Sequence, residues 1–274
     1  MTKPVNLTLC WHMHQPHYKD GLDGDYQLPW VYLHGIKDYD DMAAHLERHP
    51  QMKAVVNFAP VLLEQLDDYS KQLKGYLSKD SLMQDHLLNW LAGVTPIPVA
   101  ATDRRRIIEL CSKAYGPRMV EPHPHYHALL SLYHAGEQPS PAADIVLSYL
   151  DEQYFIDLLM WYHLSWTSYS LKQTEPVRTL LNKRSKFNTG DRRSMLQVIH
   201  DSLASIIPRY RALAERGQVE LSMTPYGHPI VPLLNDFSNM RDAQPDDPAP
   251  AYENYPGGVE RARWHMHKAV SYTH

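Results

Sequence analysis

An α/β fold built on a parallel sheet is predicted by three observations. Three short apolar segments read as buried strands: "VNLTLCWH" at 5–12, "KAVVNFAP" at 53–60 and "QVELSMTPYGHP" at 218–229. Each is rich in β-branched or apolar residues and is cut off by polar residues or proline. Helical patterns fill the spaces between them, which is the alternation expected of a parallel sheet whose functional loops sit at the strand C-termini. The second and third strands are about 150 residues apart, too far for one crossover helix. A large helical insertion between them, at about 70–190, is therefore predicted.

In chain order, the first strand alternates regularly and then breaks into Trp11, His12, His14, Gln15 and Pro16, where the proline forces a turn. The loop "QLPWVYLHGIKDYDDM", 27–42, gathers proline, Trp30, tyrosine and histidine just before a helix, "KDYDDMAAHLERHP", which stops at Pro50. The insertion holds "SKDSLMQDHLLNWLAG", "ATDRRRIIELCSKAYG" and "PAADIVLSYLDEQYFIDLLMWYHLSW", all with acceptable helix caps. After "NTGD", Met195, Val198, Ile199, Leu203, Ile206, Ile207, Tyr210 and Leu213 recur three to four apart, and Gly217 follows as a stop. Pro208 is expected to kink that helix. Residues 235–258 read as a long irregular loop.

Composition limits the functions available. The 274 residues are 43% hydrophobic and 21% charged, with a formal net charge of −4, which suits a globular protein with a sizeable core. Mixed charge leaves no basic footprint for nucleic acid or an anionic membrane. Cys10 and Cys111 form no CxxC, which argues against a disulfide framework and for a reducing cytoplasm. No stretch approaches the roughly 20 apolar residues of a membrane span, and no secretory leader is evident.

Three stretches could carry chemistry. In "WHMHQPHY", His12 and His14 project to one face of a strand. They could be a hydrogen-bonded pair supporting a loop, a metal site, or sugar contacts in which aromatic faces stack on pyranose rings while His and Gln bond hydroxyls. The metal reading needs a third ligand. "HPHYH", with His123, His125 and His127, offers candidates, but from the helical insertion. Two same-face histidines supply too few donors for a closed tetrahedral site, so neither metal nor cofactor is expected. The second stretch is the Trp30 loop, whose plain reading is a surface loop pinned by a tryptophan. The third is "ERGQVELSMTPYGHPIVPLL", 215–234, where Glu220 lies within an apolar strand and His228 follows at its far end. A buried carboxylate there is costly unless paired or functional, and membership of a structural ion pair is the competing reading.

Taken together, "HMHQP" closing a first strand, "PWVYLHGIKDYDDM" opening the first helix and "GQVELSMTPYGHPIVPLL" after a long helical insertion resemble glycoside hydrolase family 57. "FIDLLMWYHLSWTS" and "KFNTGDRRSMLQVIHDSLASIIPRYRALAERG" extend the resemblance over nearly the whole chain. It implies an incomplete (β/α)7-type barrel, with residues 1–274 its N-terminal part, and an α-1,4-glucan or maltooligosaccharide as partner. His14 would belong to the family's first signature region and Glu220 to its second. His12, His14, Gln15, Trp30, Glu220 and His228 would line the sugar cleft, with His14, Trp30, Glu220 and His228 converging in space.

The same resemblance implies that the catalytic pair is missing. A retaining glycosidase uses two carboxyl groups about 5.5 Å apart, a nucleophile and an acid. In the family these follow the segment that "GGVERARWHMHKAVSYTH" resembles, so both are expected after His274. The 274-residue chain is then inactive alone and prone to self-association through exposed barrel edges. The alternatives are a catalytically empty glucan-binding module and a metal-dependent polysaccharide deacetylase. The latter would need an aspartate pair near the first strand and an HxxxH helix, neither of which occurs near residues 5–18.

Overall fold

The computed structural model describes residues 5, 7–21, 23–134, 141–248 and 250–272. Three strands, β1 (Cys10–Met13), β2 (Ala54–Phe58) and β3 (Val219–Met223), form one parallel sheet in the order β1-β2-β3. After β1 come α1 (Trp30–His34), a π-helical turn (Gly35–Tyr39) and α2 (Asp40–Arg48). Between β2 and β3 lie α3 (Pro60–Lys79), α4 (His86–Ala92), α5 (Ala101–Cys111), a second π-helical turn (Gly116–Val120), α6 (Pro124–His134), α7 (Pro141–Tyr149), α8 (Glu152–Trp166), α9 (Tyr169–Lys172), α10 (Glu175–Lys183) and α11 (Thr189–Glu215). After β3 the chain forms α12 (Val231–Asn235), a 3-10 turn (Phe237–Asp242) and α13 (Gly258–Val270). None of the described helices is long and apolar enough to cross a membrane.

The strands are shorter than their sequence patterns suggest. β1 starts at Cys10 because β2, its partner, starts only at Ala54; Cys10 pairs with Val55, and the Leu9 carbonyl accepts the Val55 N–H at 2.8 Å. Leu7 would face Met52, whose N–H already bonds the His49 carbonyl in the turn after α2, so Leu7 stays exposed outside the sheet. Asn6, part of the expected strand, lies outside the described residues. Likewise β3 ends at Met223, before the Pro225 turn. Within 235–258, expected to be irregular throughout, residues 237–242 wind into the 3-10 turn.

The chain divides into two compact units: residues 1–17, 46–65 and 209–274, and residues 18–45 and 66–208. The first contains the sheet. Ala54, Val56 and Phe58 are buried on one face of β2, and Phe58 meets the Tyr210 ring of α11 edge-on, with ring centroids 5.2 Å apart. The second unit is helical. Asp85 caps α4 by accepting the Leu88 N–H at 3.0 Å, and Asp151 caps α8 by accepting the Tyr154 N–H at 2.9 Å. α11 continues through Pro208, which is also the last residue of the helical unit.

α8 is apolar on nearly every side and runs through the core of the helical unit. Two of its buried polar side chains, Asp157 and His163, are bonded on both of their polar atoms. Asp157 accepts the N–H groups of Lys186 and Phe187, both at 2.9 Å, and the Gln153 amide at 2.8 Å, which fixes the loop after α10. His163 donates Nδ1–H to the Leu159 carbonyl at 2.7 Å; that carbonyl can only accept, so Nε2 carries the lone pair and takes the Tyr32 hydroxyl proton at 2.9 Å. Burial holds the His163 imidazole neutral, with a pKa lowered to about 4.

Candidate functional site

Register and pleat together decide which side chains meet at the end of the sheet. Cys10, Val55 and Glu220 lie level across the three strands, and His12, Asn57 and Ser222 form the next row on the same face. Trp11, Val56 and Leu221, then Met13, Phe58 and Met223, occupy the opposite face. Apart from half-buried Val55 the first face is polar or thiol-bearing; Cys10, His12 and Glu220 on it are exposed. Parallel sheets normally bury both faces under apolar cover, so an open polar face is the signature of a site rather than of a core.

A hydrogen-bond chain crosses that face. Asn57 donates its Nδ2–H to Ser222 Oγ at 2.7 Å, which turns its carbonyl oxygen toward His12 Nδ1, also 2.7 Å away. An amide oxygen only accepts, so His12 carries a proton on Nδ1 and leaves Nε2 as its acceptor nitrogen. Sequence reasoning missed Asn57 and Ser222. The signal was available: each is a polar residue within an apolar strand, at the parity that register places beside His12.

The segments following the strands are laced together. Ala59 N–H bonds the Met13 carbonyl at 3.0 Å, Thr224 N–H bonds the Phe58 carbonyl at 3.1 Å, and Val61 N–H bonds the Tyr226 carbonyl at 3.1 Å. Gln65 of α3 donates to the Pro16 carbonyl at 2.9 Å and so holds the turn that follows His14 and Gln15. On the β3 side, Tyr226 donates its hydroxyl to the Glu64 carboxylate. Pro225 to His228 form a turn closed by a 2.8 Å bond from His228 N–H to the Pro225 carbonyl. The turn leaves His228 at φ +54°, a left-handed conformation that is uncommon for a residue with a side chain.

That conformation brings His228 onto the two histidines of β1. Its ring centroid lies 4.6 Å from His12 and 4.8 Å from His14, and those two are 5.9 Å apart. One ring nitrogen from each falls within 4.8 Å of the others. Among the described residues this is the one group of three or more potential metal ligands so placed. His14 is half-buried, and its pKa is lowered by burial first and then by the imidazoles of His228 and His12. His12 and His228 are exposed.

The other candidate residues fall as follows. Gln15 is half-buried at the turn beside His14. Glu220 is not the buried carboxylate that the apolar pattern of its strand suggested: β3 lies at the edge of the sheet among the described strands, and the side chain is exposed. It shares the polar face, one row before Ser222, about 7 Å along the strand. Trp30 belongs to the helical unit, where its ring lies 5.9 Å from Trp166 and 6.4 Å from His34. There His34 Nδ1 is 2.5 Å from Asp38 and Lys37 is 3.0 Å from it. Burial alone would raise the Asp38 pKa, but these two partners hold it below the usual value. His123 and His125 pack against Trp161 in the helical unit.

This arrangement can bind polar ligands through imidazole nitrogens, an amide and a carboxylate on the rim of a parallel sheet. The model of glycosyl hydrolase family 57 matches residues 8–268. Among solved structures, one of a GH57 branching enzyme from the hyperthermophilic archaeon Thermococcus kodakaraensis, in complex with glucose and additives, is similar at 16% identity with a TM-score of 0.35. The match covers 96% of this chain and 31% of that one, so the chain spans about a third of that enzyme's length. No curated protein sequence matches significantly. A family match over residues 8–268, nearly the whole chain, settles the membership: the chain belongs to glycosyl hydrolase family 57.

Proposed function

We propose that this chain is part of an enzyme that acts on α-1,4-glucans by a retaining mechanism, and that it contributes one wall of the substrate cleft. The observation that carries this reading is the polar face of the parallel sheet in a chain of this family: His12, Asn57 and Ser222 form one row, Glu220 lies in the row before it, and His14 and His228 follow the strands β1 and β3. In this reading the imidazoles and Gln15 bond sugar hydroxyls. The three strands are the opening part of a (β/α)7-type barrel. The nucleophile and the general acid come from sequence outside residues 1–274. Retaining chemistry needs two carboxyl groups close together, and Glu220 alone cannot both attack the anomeric carbon and protonate the leaving oxygen. The outer edges of β1 and β3 would pair with further strands, and without them copies of the chain would associate through these edges.

The test compares the 274-residue chain with a version extended through the remaining barrel strands. Reducing-sugar release from amylose and maltoheptaose is expected only from the extended version, because loss of a nucleophile or acid leaves a small remnant of the rate. In calorimetric titrations, Glu220→Gln and His14→Ala are expected to weaken maltooligosaccharide binding about tenfold, the loss of about one good hydrogen bond. Turnover by residues 1–274 that disappears in Glu220→Gln would place the catalytic pair within the chain and sink this assignment.

A further inference from the structure

We propose that His12, His14 and His228 form a binding site for one divalent cation of the zinc type, held by three imidazole nitrogens with a coordination position left open to water. The proposal stands on the geometry of the cluster and does not depend on the glucan reading.

Two histidines two apart on a strand are a weak signal, since a closed site needs further donors. The turn at Pro225 to His228 supplies the third imidazole from β3, on the far side of the sheet from β1, and the three ring nitrogens come within 4.8 Å of one another. A tetrahedral zinc with bonds of about 2.0–2.1 Å spaces its ligand nitrogens about 3.3 Å apart, so side-chain rotations of about 1.5 Å would close the set.

Three further features favour this reading over a cluster of stacked histidines. The His12 tautomer is fixed from behind: the Asn57 carbonyl accepts from Nδ1–H and Ser222 orients Asn57, which leaves Nε2 as the nitrogen with a lone pair to offer a cation. Histidine ligands of metals are held by such outer partners. The backbone of His228 is held in a conformation that costs energy for any side chain, and such positions persist where they place a functional group. Finally, the donors are all neutral nitrogens, with no thiolate or carboxylate among them, a set that suits zinc and related late first-row cations and disfavours calcium or magnesium. His12 and His228 are exposed, so the cation can enter without unfolding.

The test uses the 274-residue chain, freed of metal by a chelator and titrated with Zn(II) by calorimetry in the absence of sugar. Co(II) titration provides a visible spectrum that distinguishes tetrahedral nitrogen ligation from a hydrated octahedral ion. One equivalent is expected to bind, with intense tetrahedral-type Co(II) bands. His14→Ala and His228→Asn should each weaken Zn(II) binding at least tenfold; Asn keeps the left-handed backbone tolerable, so the turn is preserved. Asn57→Ala, which removes only the outer partner, should weaken it by 10- to 100-fold, the usual effect of losing such a contact. His127→Ala, on an exposed helical position, should change nothing. Circular dichroism establishes that each variant is folded. The proposal is overturned by absence of stoichiometric binding, by an octahedral Co(II) spectrum, or by equal affinities in the parent chain and His228→Asn. Maltooligosaccharide titration of the same metal-free samples decides the glucan reading separately, since sugar binding without metal binding, or the reverse, would sink one and leave the other standing.

Discussion

Acidification should destabilise the helical unit through His163. This imidazole is fully buried in α8, donating to the Leu159 carbonyl and accepting from Tyr32, and its pKa falls from 6.5 in an exposed chain to about 4. Above pH 6.5 both folded and unfolded forms are neutral, and the group has no pH-dependent effect. As pH falls below 6.5 the unfolded chain takes up a proton that the folded one refuses, so stability drops, and the loss levels off once pH passes below the folded value. Between pH 6.5 and pH 5 the unfolded form holds nearly one proton more than the folded one, so stability falls by about 1.4 kcal/mol per pH unit, a loss of about 2 kcal/mol at pH 5 relative to pH 7. The assay is urea unfolding followed by tryptophan fluorescence, with Trp161 and Trp166 on the same helix as reporters, in parent and His163→Gln chains at both pH values. Glutamine offers an oxygen to Tyr32 and does not titrate. The variant should be the less stable at pH 7, and the gap should close by about 2 kcal/mol at pH 5. A gap that is the same at both pH values would refute the reasoning and assign the acid sensitivity elsewhere.

Two other substitutions probe single devices of the fold. Asp157→Ala strips the acceptor from the Lys186 and Phe187 N–H groups and should cost about 2–4 kcal/mol in urea unfolding, whereas Asp157→Asn, which keeps one acceptor, should cost roughly half as much. Adjacent glycines should respond for different reasons. Gly258→Ala drives a methyl into the Leu234 backbone carbonyl and should loosen α12 from α13 at a cost of about 1–3 kcal/mol, while Gly257→Ala meets no neighbour and should cost only about 1 kcal/mol for its left-handed backbone, φ +67°. Thermal unfolding that ranks the two the other way would contradict the steric argument.

The sheet was legible in the sequence because β2 and β3 carry apolar residues at strand spacing and prolines mark their ends. Its edges were less so. "VNLTL" alternates as well as any strand, yet Leu7 and Thr8 stay outside the sheet because the register sets them level with Met52 and Lys53, ahead of the start of β2 at Ala54; a strand's length is set by its neighbour, which local pattern does not contain. The same reason explains Glu220. An apolar run around a carboxylate reads as burial, but β3 is last in the order β1-β2-β3, and strand order is a tertiary property. The helix after "NTGD" was legible from its periodicity, and it runs through Pro208: a helix 27 residues long, buried on one side, can lose one backbone bond and continue.

What joins these observations is the way the first strand stops. His12 lies in β1 on the polar face, and Met13, one residue on, points into the core with 1% exposure. A strand that must seal the core through Met13 and present His12 on the other side can only alternate, so the next outward position falls to His14. Pro16 then turns the chain, and Gln65 pins that turn by its bond to the Pro16 carbonyl. His12 and His14 are thereby fixed by the sheet and the start of α3, and His228 arrives on a turn that is anchored as well: Val61 N–H bonds the Tyr226 carbonyl, Tyr226 N–H bonds the His265 carbonyl at 3.0 Å, and Gly227 N–H bonds His265 Nδ1 at 3.1 Å. All three imidazoles therefore stand on backbone that hydrogen bonds hold in place, so closing on a small ligand or cation asks only for side-chain rotation. That keeps the ordering cost of binding low, since the framework is set before the ligand arrives.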